Sequence, residues 1–257
     1  MTDEPTPWSA YLQAYHAHQP GITEAALDHA RDPLLGSPYD WLAAALPDQP
    51  GRVLDVACGN APLQPRLTGP MSYLGVDLSE AEVQAAQNRG RGPVVRGDAR
   101  ALPVPDASVD AVVSSMGLML VQPLAAAIDE MARVLRPNGT AAFLLPARTL
   151  LRLADLRPLA LLGLHLRGPG SMPQHVSRRR ITALLEQADL AVTQATTHRF
   201  PFPLHTASDA RLAVRSLYTP GRSPERLADA EAALTAISRP GRQLPLPLLR
   251  VVARKPG

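Results

Sequence analysis

The chain has 257 residues, of which 46% are hydrophobic and 19% charged. That composition excludes a disordered or collagen-like polymer and suits one α/β domain with a modest extra segment. The formal charge is +3, from 26 basic and 23 acidic side chains scattered along the sequence, so no concentrated basic field calls for nucleic acid. Cys58 is the only cysteine, which excludes an internal disulfide and a multi-cysteine zinc site and fits a reducing compartment.

The N-terminus, Met1 to Trp8, carries Asp3, Glu4, Pro5 and Pro7 with no apolar run; no secretory signal is expected there, and the chain reads as cytoplasmic. Tyr11 to Trp41 has a helical pattern broken at Pro20-Gly21 and Pro33, so residues 1–50 are expected to form a helical flap. From Gly51 the chain alternates short apolar runs with helical stretches, the pattern of βαβ units on a parallel sheet. Strands are expected at 51–56, 72–76, 94–96, 109–114 and 140–145. A helix should open at Pro62. Ser79 should cap a second helix reaching Asn88, with Glu82 completing a capping box. Pro123 to Leu135 carries Leu124, Ala127, Ile128, Met131, Val134 and Leu135 on one stripe, the face of a helix packed on a sheet.

Leu150 to Leu166 is leucine-rich but interrupted by Arg152, Asp155, Arg157 and Pro158. A spanning helix needs about 20 predominantly apolar residues, so no integral membrane segment is expected, and an amphipathic helix remains. A Gly168-Pro169-Gly170 loop follows, then helices near 179–188, 207–217 and 224–237 and strands at 191–197 and 248–252. The last strand is placed to enter the sheet antiparallel. Segments at about 147–176 and 200–240 are expected to cover the substrate side of a domain running from 51 to 257.

The site-bearing stretch is Val53-Leu54-Asp55-Val56-Ala57-Cys58-Gly59-Asn60-Ala61-Pro62. A strand ends and small residues turn the chain, which lets backbone approach a ligand closely. Asp77 lies 22 positions beyond Asp55, at a strand end where a carboxylate can accept hydrogen bonds from a ribose diol. Asp98-Ala99 follows the third strand. The three acids stand at successive strand ends on the edge where open α/β sheets bind ligands.

In these residues the chain resembles a class I S-adenosylmethionine-dependent methyltransferase of the small-molecule type, similar to ubiquinone and menaquinone methyltransferases. Asp106-x-Ser108-Val109-Asp110 and Arg133-Val134-Leu135-Arg136-Pro137-Asn138-Gly139 also resemble phrases of that family. The resemblance covers about residues 51 to 146. It implies a Rossmann-like three-layer α/β sandwich whose seven-stranded, mostly parallel sheet has one antiparallel strand. It further implies S-adenosyl-L-methionine as cofactor and a small-molecule substrate, with no metal and no nucleic acid. The implied cofactor-binding residues are Asp55, Ala57, Cys58, Gly59, Ala61, Asp77, Leu78, Asp98, Ala99, Ser115 and Met116. Ala57 and Ala61 depart from the family, which has glycine at both.

The leucine-rich cover suggests an apolar or aromatic acceptor. No catalytic base is assigned: His16, His18, His165, His175, His198 and His205, with Tyr11 and Tyr15, are candidates on residue type alone. The altered glycines leave a non-catalytic cofactor-binding protein as the alternative, with an RNA methyltransferase behind it. A nicotinamide enzyme would need glycines at 57, 59 and 62, where the chain has Ala57, Gly59 and Pro62. Oligomeric state is not written in the sequence.

Overall fold

The computed structural model describes residues 7–47, 51–148, 151–168 and 171–257. In chain order the strands are Arg52–Val56 (β1), Ser72–Asp77 (β2), Val94–Arg96 (β3), Val109–Ser115 (β4), Leu135–Pro146 (β5), Ala191–Pro203 (β6) and Gln243–Arg254 (β7). They form one sheet ordered β3-β2-β1-β4-β5-β7-β6. The first five run parallel, and β7 lies antiparallel between β5 and β6. The strand order reverses between β1 and β4, which opens a crevice at their carboxyl ends.

The helices are Pro7–His18 (α1), Ile22–His29 (α2), Pro38–Ala43 (α3), Glu80–Asn88 (α4), Leu124–Val134 (α5), Leu153–Leu166 (α6), Arg178–Gln187 (α7), Ala207–Arg215 (α8) and Pro224–Thr235 (α9). Successive strand residues bury on opposite faces, as a pleat requires. Leu54, Val112 and Phe143 pack with Ile128, Met131, Ile181 and Leu185 from α5 and α7. Val53, Ala111 and Leu144 pack on the other face with Trp41, Phe200, Val214 and Leu234.

Three local expectations are corrected. Pro62 opens no α-helix; only a 3-10 turn, Gln64–Arg66, forms before β2. Pro65 has no N–H to continue a ladder, and Gly69-Pro70 ends the segment. At α4, the Ser79 hydroxyl accepts from Glu82 N, yet the Glu82 side chain does not return to Ser79; it accepts from Gly21 N. The last two strands are longer than their prolines suggest. Pro201 and Pro203 lie on the edge strand, opposite Pro245 and Gln243, and an edge tolerates residues that cannot donate. Leu150 and the Pro169-Gly170 part of the expected loop lie outside the described residues.

One ion pair fixes α6 to the sheet. The buried Asp155 carboxylate accepts from Arg199 on β6 at 2.7 and 2.5 Å and from Arg152 N at 2.7 Å. Burial alone would raise this carboxyl, but Arg199 and the Arg152 N–H hold it below the usual range. Its stabilisation is therefore present at neutral pH and lost as pH falls through the lowered value. Removing one partner strands the other, so Asp155→Ala is expected to cost about 3 kcal/mol, read as a lower urea midpoint at pH 7. A midpoint unchanged from wild type would show that the pair does not anchor the helix.

Candidate active site

A cavity of about 580 Å³ lies at the carboxyl ends of β1 to β4, a size suited to a small ligand. The turn after β1 contributes Asp55, Ala57, Cys58 and Gly59, and the end of β2 contributes Asp77 and Leu78. Asp98 and Ala99 enter from beyond β3, and Ser115 and Met116 from the end of β4. Ala61 is set back, fully buried behind the turn against Cys58, Tyr73 and Val83.

The turn keeps a glycine-like backbone without all its glycines. Ala57, Gly59 and Ala61 have φ of 54°, 55° and 54°, and Met116 across the cavity has 59°. For residues with a side chain this left-handed region costs about 1–2 kcal/mol each, held by the packing around them. Gly117 makes room for the substitution, because a Cβ there would come within 2.4 Å of the Ala57 Cβ.

Asp77 ties the floor together. One carboxylate oxygen accepts from Gly59 N at 2.7 Å and the other from Ser79 N at 2.8 Å; each oxygen keeps a further lone pair. Burial raises its carboxyl, against the pull of these two N–H groups and of His16. Asp55 is 2% exposed and accepts from the Tyr73 hydroxyl at 3.0 Å, while its Oδ1 has no partner among the described residues. Burial pushes its carboxyl up to about 7, Tyr73 opposes the shift and the Asp77 charge adds to it. Asp98 differs: Arg100 grips it through backbone N at 2.8 Å and guanidinium at 2.7 Å, which holds its carboxyl low. At this corner the cavity is lined by an ion pair. Ser115 also leaves its hydroxyl without a partner among the described residues.

The roof comes from α1, in the segment expected as a helical flap, and of the candidate bases it brings His16 to the cavity. Trp8, Leu12 and His16 face the cavity, with Tyr218 beside them. His16 Nδ1 meets Glu82 Oε1 at 2.9 Å, and its Nε2 lies 3.4 Å from the Tyr218 hydroxyl. With Nδ1 donating to the Glu82 carboxylate, it is the neutral imidazole that has Nε2 as its acceptor. Tyr15 packs on Tyr218 with ring centroids 4.8 Å apart and donates to Arg215 O at 2.8 Å. The Tyr11 hydroxyl accepts from Thr219 N at 2.7 Å. Burial pushes the Tyr15 and Tyr218 phenols up, so both stay neutral. From α2, Glu24 accepts from Asn60 at 2.6 Å and Arg91 at 2.8 Å. Among the described residues five carboxylates line the cavity, Glu24, Asp55, Asp77, Glu82 and Asp98, against the guanidinium of Arg100. Asp55 and Asp77 are the two with no hydrogen bond to a cation or imidazole.

Residues 54–143 match the family described as Methyltransferase domain. That match covers about a third of the chain, and it includes the turn after β1, Asp77, Asp98 and the end of β4. Among curated proteins the chain is 43% identical over 110 residues to a demethylmenaquinone methyltransferase of Mycobacterium sp. (strain KMS), covering 41% of this chain and 47% of that one. It is 35% identical over 113 residues to a probable phthiotriol/phenolphthiotriol dimycocerosates methyltransferase of Mycobacterium ulcerans, covering 42% and 40%. The match thus spans less than half of either relative. A chain from the complex of the Haloferax volcanii Trm112 methyltransferase activator with a methyltransferase shares the fold, with TM-score 0.59, 18% identity and 96% and 97% of the two chains covered.

Two predictions come from the cavity floor. Ala57→Gly relieves the left-handed strain but adds unfolded-chain entropy, for a net gain of about 0.5–1 kcal/mol in urea unfolding; a loss would contradict the strain assignment. Between pH 4 and 7 an unfolded Asp55 ionises while the folded one keeps its proton. The wild type should therefore lose stability relative to Asp55→Asn across that interval and level off above it. Parallel stability profiles for the two proteins would show that Asp55 is not held protonated.

Proposed function

We propose that the chain is a cytoplasmic enzyme that transfers a methyl group from S-adenosyl-L-methionine to a small apolar or aromatic acceptor. The observation that carries this reading is the pair of buried carboxylates, Asp55 and Asp77, that face one cavity without a cationic partner. Two such groups are costly unless a ligand supplies positive charge and donors. A nucleoside with a sulfonium and an ammonium supplies both, and the spare lone pairs of Asp77 suit a ribose diol. Ala57, Cys58 and Gly59 would follow the ligand with backbone, Leu78 and Ala99 would flank its base, and Ser115 and Met116 would stand nearer the acceptor. Asp98 serves through its pair with Arg100, and Ala61 shapes the turn from behind.

When bound, the sulfonium supplies an electrophilic methyl group. The chain supplies alignment, exclusion of water and a place for a proton. His16, oriented by Glu82, is the candidate base, with Nε2 open to an acceptor proton directly or through Tyr218. Trp8, Leu12, Pro173 and Tyr218 give the acceptor an apolar surround. The described part of the flap, residues 7–47, acts as the cover together with Pro173 and Tyr218; α6 itself contributes no cavity-lining residue. The altered glycines do not favour the non-catalytic alternative, because Ala57 and Ala61 hold the glycine-like φ regardless.

Calorimetric titration with S-adenosylmethionine and S-adenosylhomocysteine tests the proposal, with NADH as control. Micromolar binding is expected, weakened about 100-fold or more in Asp77→Ala, since a buried charge-assisted hydrogen bond is lost. His16→Gln should keep binding within about threefold while methyl transfer to a phenol or quinol panel falls about 10²–10⁴-fold. Absence of cofactor binding in wild type would overturn the assignment.

A further inference from the structure

Three of the exposed large apolar side chains of the described residues lie on α6, none of whose residues lines the cavity. Leu153, Leu156 and Leu164 are 88%, 49% and 70% exposed. With the exposed Ala160 they fall at spacings of three, four and four residues, one stripe along the outer face of the helix. The opposite face is already used: Asp155, Pro158 and Leu166 are buried, and Leu161 and Leu162 pack on the core. A helix apolar on both faces is not complete in water.

We infer that this stripe seats the protein on an anionic lipid bilayer, with α6 lying in the interface plane. Charge argues for that occupant. Arg148, Arg152, Arg157 and Arg167 are all exposed on or beside the helix. The carboxylate in α6 is Asp155, buried and engaged by Arg199. Where α9 and the turn before it meet the end of α6, Arg222 and Arg226 donate to Leu166 O and His165 O, and the exposed acids of α9 near them are Glu225 and Asp229. Aliphatic side chains flanked by long cations are the composition of a helix held at a lipid surface. Protein interfaces draw on aromatic anchors and directional polar groups, and α6 has no aromatic residue other than His165.

Length decides how the helix lies. Fourteen residues make about 21 Å of helix, short of the roughly 30 Å of a hydrocarbon core, and no helix among the described residues is long and apolar enough to cross a membrane. Insertion along the interface is the geometry left to it. Downstream of α6, Ser171 N donates to Tyr218 O at 2.8 Å, and Pro173 and Tyr218 both line the cavity. The docked helix thus precedes in sequence a residue of the cavity wall, Pro173, which suits collection of a lipophilic acceptor from the bilayer.

Co-sedimentation of the full chain with vesicles tests the inference, using phosphatidylcholine alone or mixed equally with phosphatidylglycerol. The protein is expected to bind the anionic vesicles roughly tenfold more tightly than the neutral ones. Binding should be lost in Leu153→Gln/Leu164→Gln and weakened in Arg152→Gln/Arg157→Gln or at high salt. These side chains are exposed, so circular dichroism and the thermal midpoint should not change, and vesicle binding is read independently of methyl transfer. Failure to sediment with anionic vesicles, or binding unaltered by the leucine changes, overturns the inference. So does concentration-dependent dimerisation that the leucine changes abolish, because a second copy would then cover the stripe.

Discussion

The carboxylate of Asp77 is the joint on which the site depends. It stands at the end of β2 and accepts one N–H from the turn after β1 and another from the start of α4. Two loops from neighbouring parallel strands are thereby set at hydrogen-bond distance from one side chain. One helical turn later, Glu82 does the equivalent work for the roof, accepting from Gly21 N and meeting His16. The cavity is the space between these two clamps. A Cβ at Gly21 would come within 2.7 Å of the Asn60 amide, so the roof approaches the floor this closely only because residue 21 is glycine.

The site collects negative charge and leaves part of it uncompensated. Glu24 and Asp98 are paired with the guanidinium groups of Arg91 and Arg100, and Glu82 is hydrogen-bonded to His16 and the Gly21 N–H. Asp55 and Asp77 instead have their carboxyls raised by burial. Left-handed backbone at Ala57, Ala61 and Met116 adds conformational strain around the same cavity. Both features cost stability in the free protein, and both cluster where a ligand would sit, the pattern of a site organised ahead of binding. A cationic nucleoside offsets the electrostatic cost and rewards the backbone shape.

Much of the floor was legible in the sequence because its pieces are local. The apolar run of β4, the stripe of α5 and the Ser79 cap are each set by spacing within a few residues, and the structure has all three. Asp55, Asp77 and Asp98 were readable because parallel strands deliver their ends to one edge. The roof was legible as a helical flap with His16 among several candidates, but its contacts were not. His16 meets Glu82 across 66 positions and Tyr218 across 202, and no short-range pattern encodes contacts of that reach. Glu82 even misled: three residues after Ser79 it looks like half of a capping box, yet the Gly21 N–H takes its carboxylate. The helix expected at Pro62 failed for a local reason, since Pro65 and Gly69-Pro70 leave too little chain to build one.

A crystal structure grown with S-adenosylhomocysteine tests the central claim most directly, because it shows which side chains meet the ligand. The account predicts ligand in the cavity at the ends of β1 to β4, with its sugar hydroxyls on the Asp77 carboxylate and Asp55 Oδ1 no longer without a partner. Ligand bound elsewhere on the chain, or an Asp77 that it does not touch, would contradict the account.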